Sequence, residues 1–331
     1  MRVAAVQHPS VFGDRAAAVE RCAALVAEAA AAGAELVAFP ETWLGGYPAW
    51  CFGAAAWEDP LGRRLYRQLL DSSVLVGGAD DQLGPVRDAA REGSVVVVLG
   101  LNELAGPGSG TVYNSQVVID SDGTLVNHHR KLVPTSTEKN VWSPGDAAGL
   151  RVVTTGAGRV GGLICWEHWN PLARQVLHAG HEDVHVAAWP DLAEAHELAS
   201  RTYAIEGRCY VIVAANVARV EDVPEEMRAA FRQGLDPGDP GDPGDPGDVL
   251  FDGGSGVIGP DGAWLVGPER GTVGLVLADI EPASLGEWRF TADVAGHYQR
   301  PDVFQLRVDA ARRPSGAVTY VEDVSSAPGA R

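Results

Sequence analysis

The chain has 331 residues, 46% of them hydrophobic and 21% charged, a balance that excludes wholesale disorder and gives enough length for one large buried sheet core. A formal net charge of −18 argues against nucleic acid and anionic membrane surfaces as partners, since both would repel the chain at long range. Residues 1–7 read as a strand rather than a signal peptide, no apolar run reaches the width of a bilayer, and Cys22, Cys51, Cys165 and Cys209 show no paired spacing, so a cytoplasmic protein with reduced thiols is expected.

Residues 2–7 are the first expected strand, and residues 14–32 form an alanine-rich amphipathic helix stopped at Gly33. The strand at 36–39 delivers Glu41. Helices are expected over 61–71 and 80–92, then an apolar strand over 94–101 that ends at Asn102. Strands at 112–120 and 124–130 flank Ser121-Asp122-Gly123, a strong hairpin turn, and Lys131 follows directly. A second hairpin, 150–155 with 159–164, turns at 156–158 and runs into Cys165, followed at once by a helix start. A helix near 169–180, a strand at 184–188, a helix at 193–207 and a strand at 210–215 come next. Late strands near 255–259, 263–267 and 272–279 alternate with turns. Mixed hairpins and β-α-β units of this kind point to two sheets packed face to face with helices outside. Residues 236–248 are four Asp-Pro-Gly triplets closed by Asp248. Prolines remove donors, glycines add entropy and the aspartates repel one another, so a low-complexity surface loop is expected there. One catalytic domain over 1–310 and a flexible tail over 311–331 complete the reading.

Three apolar strands therefore end in ionisable residues, and strand ends at one sheet edge are where an α/β fold assembles chemistry from distant parts of a sequence. At a strand-to-helix corner the Cys165 thiol would have free N–H groups beside it and a helix N-terminus to favour its thiolate. His168 offers itself as a base, but one shared turn need not aim it at the sulfur. Glu167 and His168 are read as organising a pocket or a subunit interface. His178, His181 and His185 lack constant helical geometry and a thiol, and no metal site is read from them. Trp43, Tyr47, Trp50, Trp166 and Trp189 lie near these positions and are candidates for the apolar wall of a small-molecule pocket, core packing being the other role open to each.

The motifs Phe39-Pro-Glu-Thr-Trp-Leu-Gly-Gly-Tyr-Pro48, His129-Arg-Lys-Leu-Val-Pro-Thr135 and Cys165-Trp-Glu-His168 together resemble the nitrilase branch of the carbon–nitrogen hydrolase superfamily. Val112-Tyr-Asn-Ser115, Val184-His-Val-Ala-Ala-Trp-Pro190, Gly253-Gly-Ser-Gly256 and Gly296-His-Tyr-Gln-Arg-Pro-Asp302 extend the resemblance, in family order, to about residue 308. It implies a four-layer αββα sandwich. Cys165 would be the nucleophile, Glu41 the general base and Lys131 the group that stabilises thiolate and adducts. Glu138 would be an auxiliary acid or the salt-bridge partner of Lys131, and Tyr47, Trp166, Trp189 and Pro190 would contact substrate. The implied reaction hydrolyses an organic nitrile to acid and ammonia, without metal or cofactor. An amidase, another carbon–nitrogen hydrolase including one that hydrolyses cyanide, and a non-catalytic assembly protein are the alternatives. A homodimer or a larger spiral homo-oligomer is the implied assembly.

Overall fold

The computed structural model describes residues 1–53, 58–79, 81–235 and 249–313. β1 (Arg2–Gln7) buries five consecutive residues, which requires cover on both strand faces. α1 (Arg15–Ala31) begins where the Asp14 carboxylate accepts the Ala17 N–H at 3.0 Å, and Ala18, Cys22, Leu25, Val26 and Ala29 make its buried stripe. β2 (Leu36–Ala38) runs parallel to β1. α2 (Pro60–Ser72) and α3 (Gly84–Gly93) lead to β3 (Val96–Leu104), followed by the antiparallel hairpin of β4 (Val112–Ile119) and β5 (Leu125–Arg130). The second half contains β6 (Val153–Thr155), β7 (Gly158–Ile164), α4 (Pro171–His178), β8 (Val184–Trp189), α5 (Glu194–Gly207) and β9 (Tyr210–Ala215). β10 (Val217–Arg219), α6 (Glu225–Leu235), β11 (Val249–Ile258), β12 (Trp264–Arg270), β13 (Gly274–Asp279) and α7 (Leu285–Arg289) follow.

One sheet has the order β13-β1-β2-β3-β4-β5, and the other β10-β11-β9-β8-β7-β6 with β12 beside β11. Between them Val3, Leu36, Val96 and Val98 of the first sheet share a buried cluster with Val160, Val184, Val186 and Ile212 of the second. Burying each such side chain fully stabilises the fold by ~1.5–3 kcal/mol, so an aspartate at Val98 or Val186 would break this layer. The outer face of the first sheet is covered through Leu25, Val26, Val86 and Ala90 of α1 and α3. Leu177, Tyr203 and Ala204 of α4 and α5 cover the second. The architecture is the αββα sandwich.

Several boundaries depart from the sequence reading. β3 continues through Asn102 because that side chain is satisfied within the strand, donating to Gly46 O at 2.8 Å and accepting from Trp142 Nε1 at 2.9 Å. β10 and α6 were not foreseen, and α6 buries Met227, Ala230 and Phe231 with the 3₁₀ turn Ala49–Phe52. The helix expected directly after Cys165 is instead a 3₁₀ turn, Cys165–Trp169, and α4 starts only at Pro171 with Asn170 as its cap. Pro171 has no N–H to return to Glu167 O, which Asn170 N bonds at 2.9 Å instead. The Asp-Pro-Gly repeat lies outside the described residues, as do residues 314–331. The expected tail is tied back at its start, where Arg313 N donates to Asp146 Oδ2 at 3.0 Å and Arg312 pairs with Asp146 at 3.2 Å. Among the described residues no helix is long and apolar enough to cross a membrane.

Candidate active site

The three strand ends meet where the sheets face each other. Gly100 of β3 lets the chain after β2 lie against it, since a Cβ there would overlap Pro40 O and crowd Thr42 N, and Glu41 is fixed between them. Asn216 Nδ2 holds Glu41 O from the other sheet at 3.0 Å. Lys131 follows β5, with its N–H on Asn114 O at 2.8 Å. Cys165 follows β7 with φ 53°, and Thr42 (φ 46°) and Ser136 (φ 50°) are likewise left-handed beside Glu41 and in the Lys131–Glu138 loop. Such backbone costs a non-glycine residue on the order of 1–2 kcal/mol and persists where surrounding bonds over-determine it.

Lys131 Nζ donates to Glu41 Oε1 at 2.8 Å and to Glu138 Oε2 at 2.7 Å, with all three side chains buried. Glu41 Oε1 also accepts from Asn114 Nδ2 at 2.6 Å. Glu138 is held by Tyr47 OH at 2.7 Å and by Thr135 N at 2.6 Å. Glu41 Oε2 is the exception: it is buried and has no hydrogen-bond partner. Ligand atoms of Glu41, Glu138 and Cys165 lie within 4.8 Å of one another, so the thiol sits beside two carboxylates, one of which keeps an oxygen without a partner. This is also the one group of side chains among the described residues that could hold a cation. The Lys131 ammonium already bonds both carboxylates and supplies positive charge there. His178, His181 and His185 form no such group among the described residues.

Burial lifts Glu41 to about 7 against the pull of Lys131, near neutrality, where a general base works best. Burial, and then the Glu41 charge, push the Cys165 thiol well up, with Lys131 and the Trp166 N–H pulling the other way. Burial opposes the charge on Lys131, but Cys165, Glu41 and Glu138 hold it well above the ordinary lysine range. The resting cluster is therefore a thiol beside a titratable carboxylate and a permanent ammonium, titrating as one coupled unit. Such a set can deprotonate a sulfur as it attacks and stabilise the anion that forms.

A family model described as carbon-nitrogen hydrolase matches residues 2–290. The chain belongs to the carbon–nitrogen hydrolase family. Within it the chain falls in the nitrilase branch: it is 37% identical to a nitrilase of Pseudomonas syringae pv. syringae over 92% of this chain and 89% of that protein. An aliphatic nitrilase of Rhodococcus rhodochrous is 34% identical over 93% of this chain and 79% of its own length. The fold matches that of a carbon-nitrogen hydrolase from Helicobacter pylori, with a TM-score of 0.66 at 22% identity over 91% of this chain and 96% of that one.

Within this carbon–nitrogen hydrolase the residues singled out from sequence part company. Glu41, Lys131, Glu138 and Cys165 converge. Trp166 follows Cys165 directly and is 48% exposed. Trp189 is buried between the rings of His168 and His196, at 4.7 and 4.4 Å between centroids, with its Nε1 on Ser200 Oγ at 3.0 Å. Pro190 is buried directly after β8. Tyr47 packs edge-on to Trp142 and spends its hydroxyl on Glu138. Trp43 and Trp50 are core. His168 does not address the sulfur: its Nδ1 lies 2.8 Å from Cys165 O. Glu167 accepts the N–H groups of Ile164 at 2.8 Å and Leu132 at 2.7 Å, which ties the Cys165 corner to the Lys131 loop. The sequence reading gave no role to Asn114, Asn216 or His196. Burial works against charge on His196, but Asp191 at 3.0 Å raises it, and its ring lies edge-on to Trp166.

Proposed function

We propose that this carbon–nitrogen hydrolase is a nitrilase that converts an organic nitrile to its carboxylic acid and ammonia, with Cys165 as nucleophile, Glu41 as base and Lys131 as electrostatic stabiliser. The observation that carries the reading is the buried thiol within 4.8 Å of the Glu41 carboxylate, whose Oε2 has no partner, in a cluster whose other carboxylate oxygens and ammonium are hydrogen-bonded. As Sγ adds to the nitrile carbon, the thiol proton passes to Glu41 Oε2 and on to the nitrile nitrogen, giving a thioimidate. Lys131 and the Trp166 N–H stabilise the developing negative charge. Water deprotonated by Glu41 then adds, nitrogen leaves as ammonia, and a thioester remains. A second water releases the acid and restores the thiol. Glu138 holds Lys131 in place through this sequence. Trp166, edge-on to His196, follows the nucleophile directly, and Trp189 stacks behind His196.

A panel of a dozen aliphatic, arylacetic and aromatic nitriles with their amides, read by ammonia and acid release, tests this. Acid and ammonia from at least one nitrile, faster than from its amide, are expected. Turnover of amides alone would make the chain an amidase with the same residues.

The chain after α7 supports a homo-oligomer. Phe290 and Phe304 are 85% and 77% exposed, and Tyr298 and Val303 are exposed beside them, more apolar surface than a free monomer usually leaves in one segment. Replacing Phe290 and Phe304 together by serine is expected to reduce the assembled mass in light scattering. An unchanged mass would remove this arm from the interface.

A further inference from the structure

Behind the nucleophile runs a line of buried titratable groups that the mechanism above does not use. His168 Nδ1 lies 2.8 Å from Cys165 O, His168 Nε2 lies 3.0 Å from His185 Nε2, and His185 Nδ1 lies 2.8 Å from Glu182 Oε1. Tyr203 OH closes the line on Glu182 Oε2. Each of these side chains is buried. Space for the Glu182 carboxyl exists because residue 161 of β7 is glycine, since a Cβ there would overlap it.

The proton positions follow from the partners together with a His185 ring that burial keeps neutral. A carbonyl oxygen only accepts, so His168 carries its proton on Nδ1 and presents a lone pair at Nε2. His185 must then donate from Nε2, which leaves its own Nδ1 as the acceptor in the neutral ring. Only a protonated carboxyl can fill that acceptor from Glu182 Oε1. We infer that Glu182 is a positioning residue that acts as a neutral carboxylic acid, fixing the tautomers of His185 and His168 and through them the carbonyl of the nucleophile Cys165. The inference rests on the reading of Cys165 as nucleophile, and it assigns the reason why a left-handed cysteine is held in one place.

The surroundings agree. Burial raises Glu182 to about 7, and burial lowers His168 to about 3 and His185 well below the ordinary histidine range. The groups facing Glu182 are His178 of α4, Tyr203 of α5, Cys209, Asp183 and His185 around β8, and Arg289 of α7, whose Nη2 donates to Glu182 O at 2.7 Å, while Glu206 of α5 faces Tyr203. Glu167 and His196 face His168. When Glu182 loses its proton, His185 can serve it only by moving its proton to Nδ1. His168 must then turn its proton to Nε2, and its Nδ1 lone pair faces the Cys165 carbonyl. The bond at the nucleophile is lost as pH rises through about 7.

Glutamine reproduces the acid, since its N–H₂ donates to His185 and its oxygen accepts from Tyr203, and it cannot ionise. Glu182→Leu is expected to lower kcat by roughly 10–100-fold with KM little changed, because nucleophile placement is lost. Glu182→Gln is expected to restore kcat to within ~3-fold of wild type at pH 6.5 and to remove the alkaline limb of the kcat profile while leaving the acid limb in place. Glu182→Gln as inactive as Glu182→Leu, or with the alkaline limb unchanged, overturns the proposal. ¹⁵N NMR of histidine-labelled wild-type enzyme tests it without a variant or a substrate: His168 should be the Nδ1–H tautomer and His185 the Nε2–H tautomer, both neutral at pH 6.5. An imidazolium at His185 or the opposite tautomers would sink it. That readout stands whatever nitriles the enzyme accepts, so its failure is distinct from failure of the nitrilase reading.

Discussion

Arg130 and Lys131 are chain neighbours at the end of β5 that serve two different buried carboxylates, Glu103 and Glu41, and the two acids are set in opposite directions. At Glu103, Arg130 Nε lies 3.1 Å from both oxygens, its Nη2 is 2.5 Å from Oε1, and Ser115 Oγ at 2.5 Å and His128 Nε2 at 2.7 Å complete Oε2. Burial pushes Glu103 up, yet the bonds from His128 and Arg130 outweigh it and bring the acid to about 2. Glu41 shares its only cation with Glu138 and leaves Oε2 without a partner, and burial wins, at about 7. Similar burial thus gives a held anion in one case and a carboxylate titrating near neutrality in the other. The difference is how many donors each oxygen receives and how many carboxylates divide one cation.

The largest effect should come from Cys165→Ala, which removes the covalent route at little packing cost: turnover on any accepted nitrile is expected to fall by roughly 10³-fold or more with folding and assembly intact. Lys131→Met should follow, with a loss of roughly 10²–10³-fold and a lower midpoint of thermal unfolding, because two buried carboxylates lose their cation. Glu138→Gln should cost far less, about tenfold, if Glu138 only holds Lys131, and equal losses would give it a direct chemical role.

The pH profile separates the two carboxylates by sign. With Glu41 as the proposed base, kcat/KM is expected to fall tenfold per unit as pH drops below about 7. Glu103 is held below its ordinary value of 4.5, so its contribution to stability is complete above that value and is lost as pH falls toward about 2. Glu103→Gln is the mildest change for catalysis: kcat should stay within a few-fold of wild type, while removal of the partner of Arg130 costs about 3 kcal/mol of stability in denaturant unfolding. A collapse of kcat in a stable Glu103→Gln enzyme would erase the distinction between the two sites.

Glu41, Lys131 and Cys165 were legible in the sequence because each follows an apolar strand inside a recognisable motif, and the ends of β5 and β7 fall where the apolar pattern stops. What holds them was not. Asn114 reaches Glu41 across 73 positions and Asn216 reaches it across 175, contacts that no local period encodes. Glu182 sits in the charged stretch His181-Glu-Asp183 and reads as a solvated turn. Its burial depends on a glycine 21 positions earlier on the neighbouring strand. In α6 the apolar residues Met227, Ala230 and Phe231 do keep helical spacing, but they are interspersed with Glu and Arg just before the Asp-Pro-Gly repeat, and no motif marks the segment. The turn at Cys165 was read as an α-helix because apolar spacing does not separate a short 3₁₀ turn from the start of a longer helix.

The most direct test of the account is to quench the wild-type enzyme during turnover of an accepted nitrile and map the trapped thioimidate or thioester by peptide mass spectrometry. The added mass is expected on Cys165, and is expected to be lost in Cys165→Ala. Mass on Cys22, Cys51 or Cys209, or steady turnover by the Cys165→Ala enzyme, would contradict it.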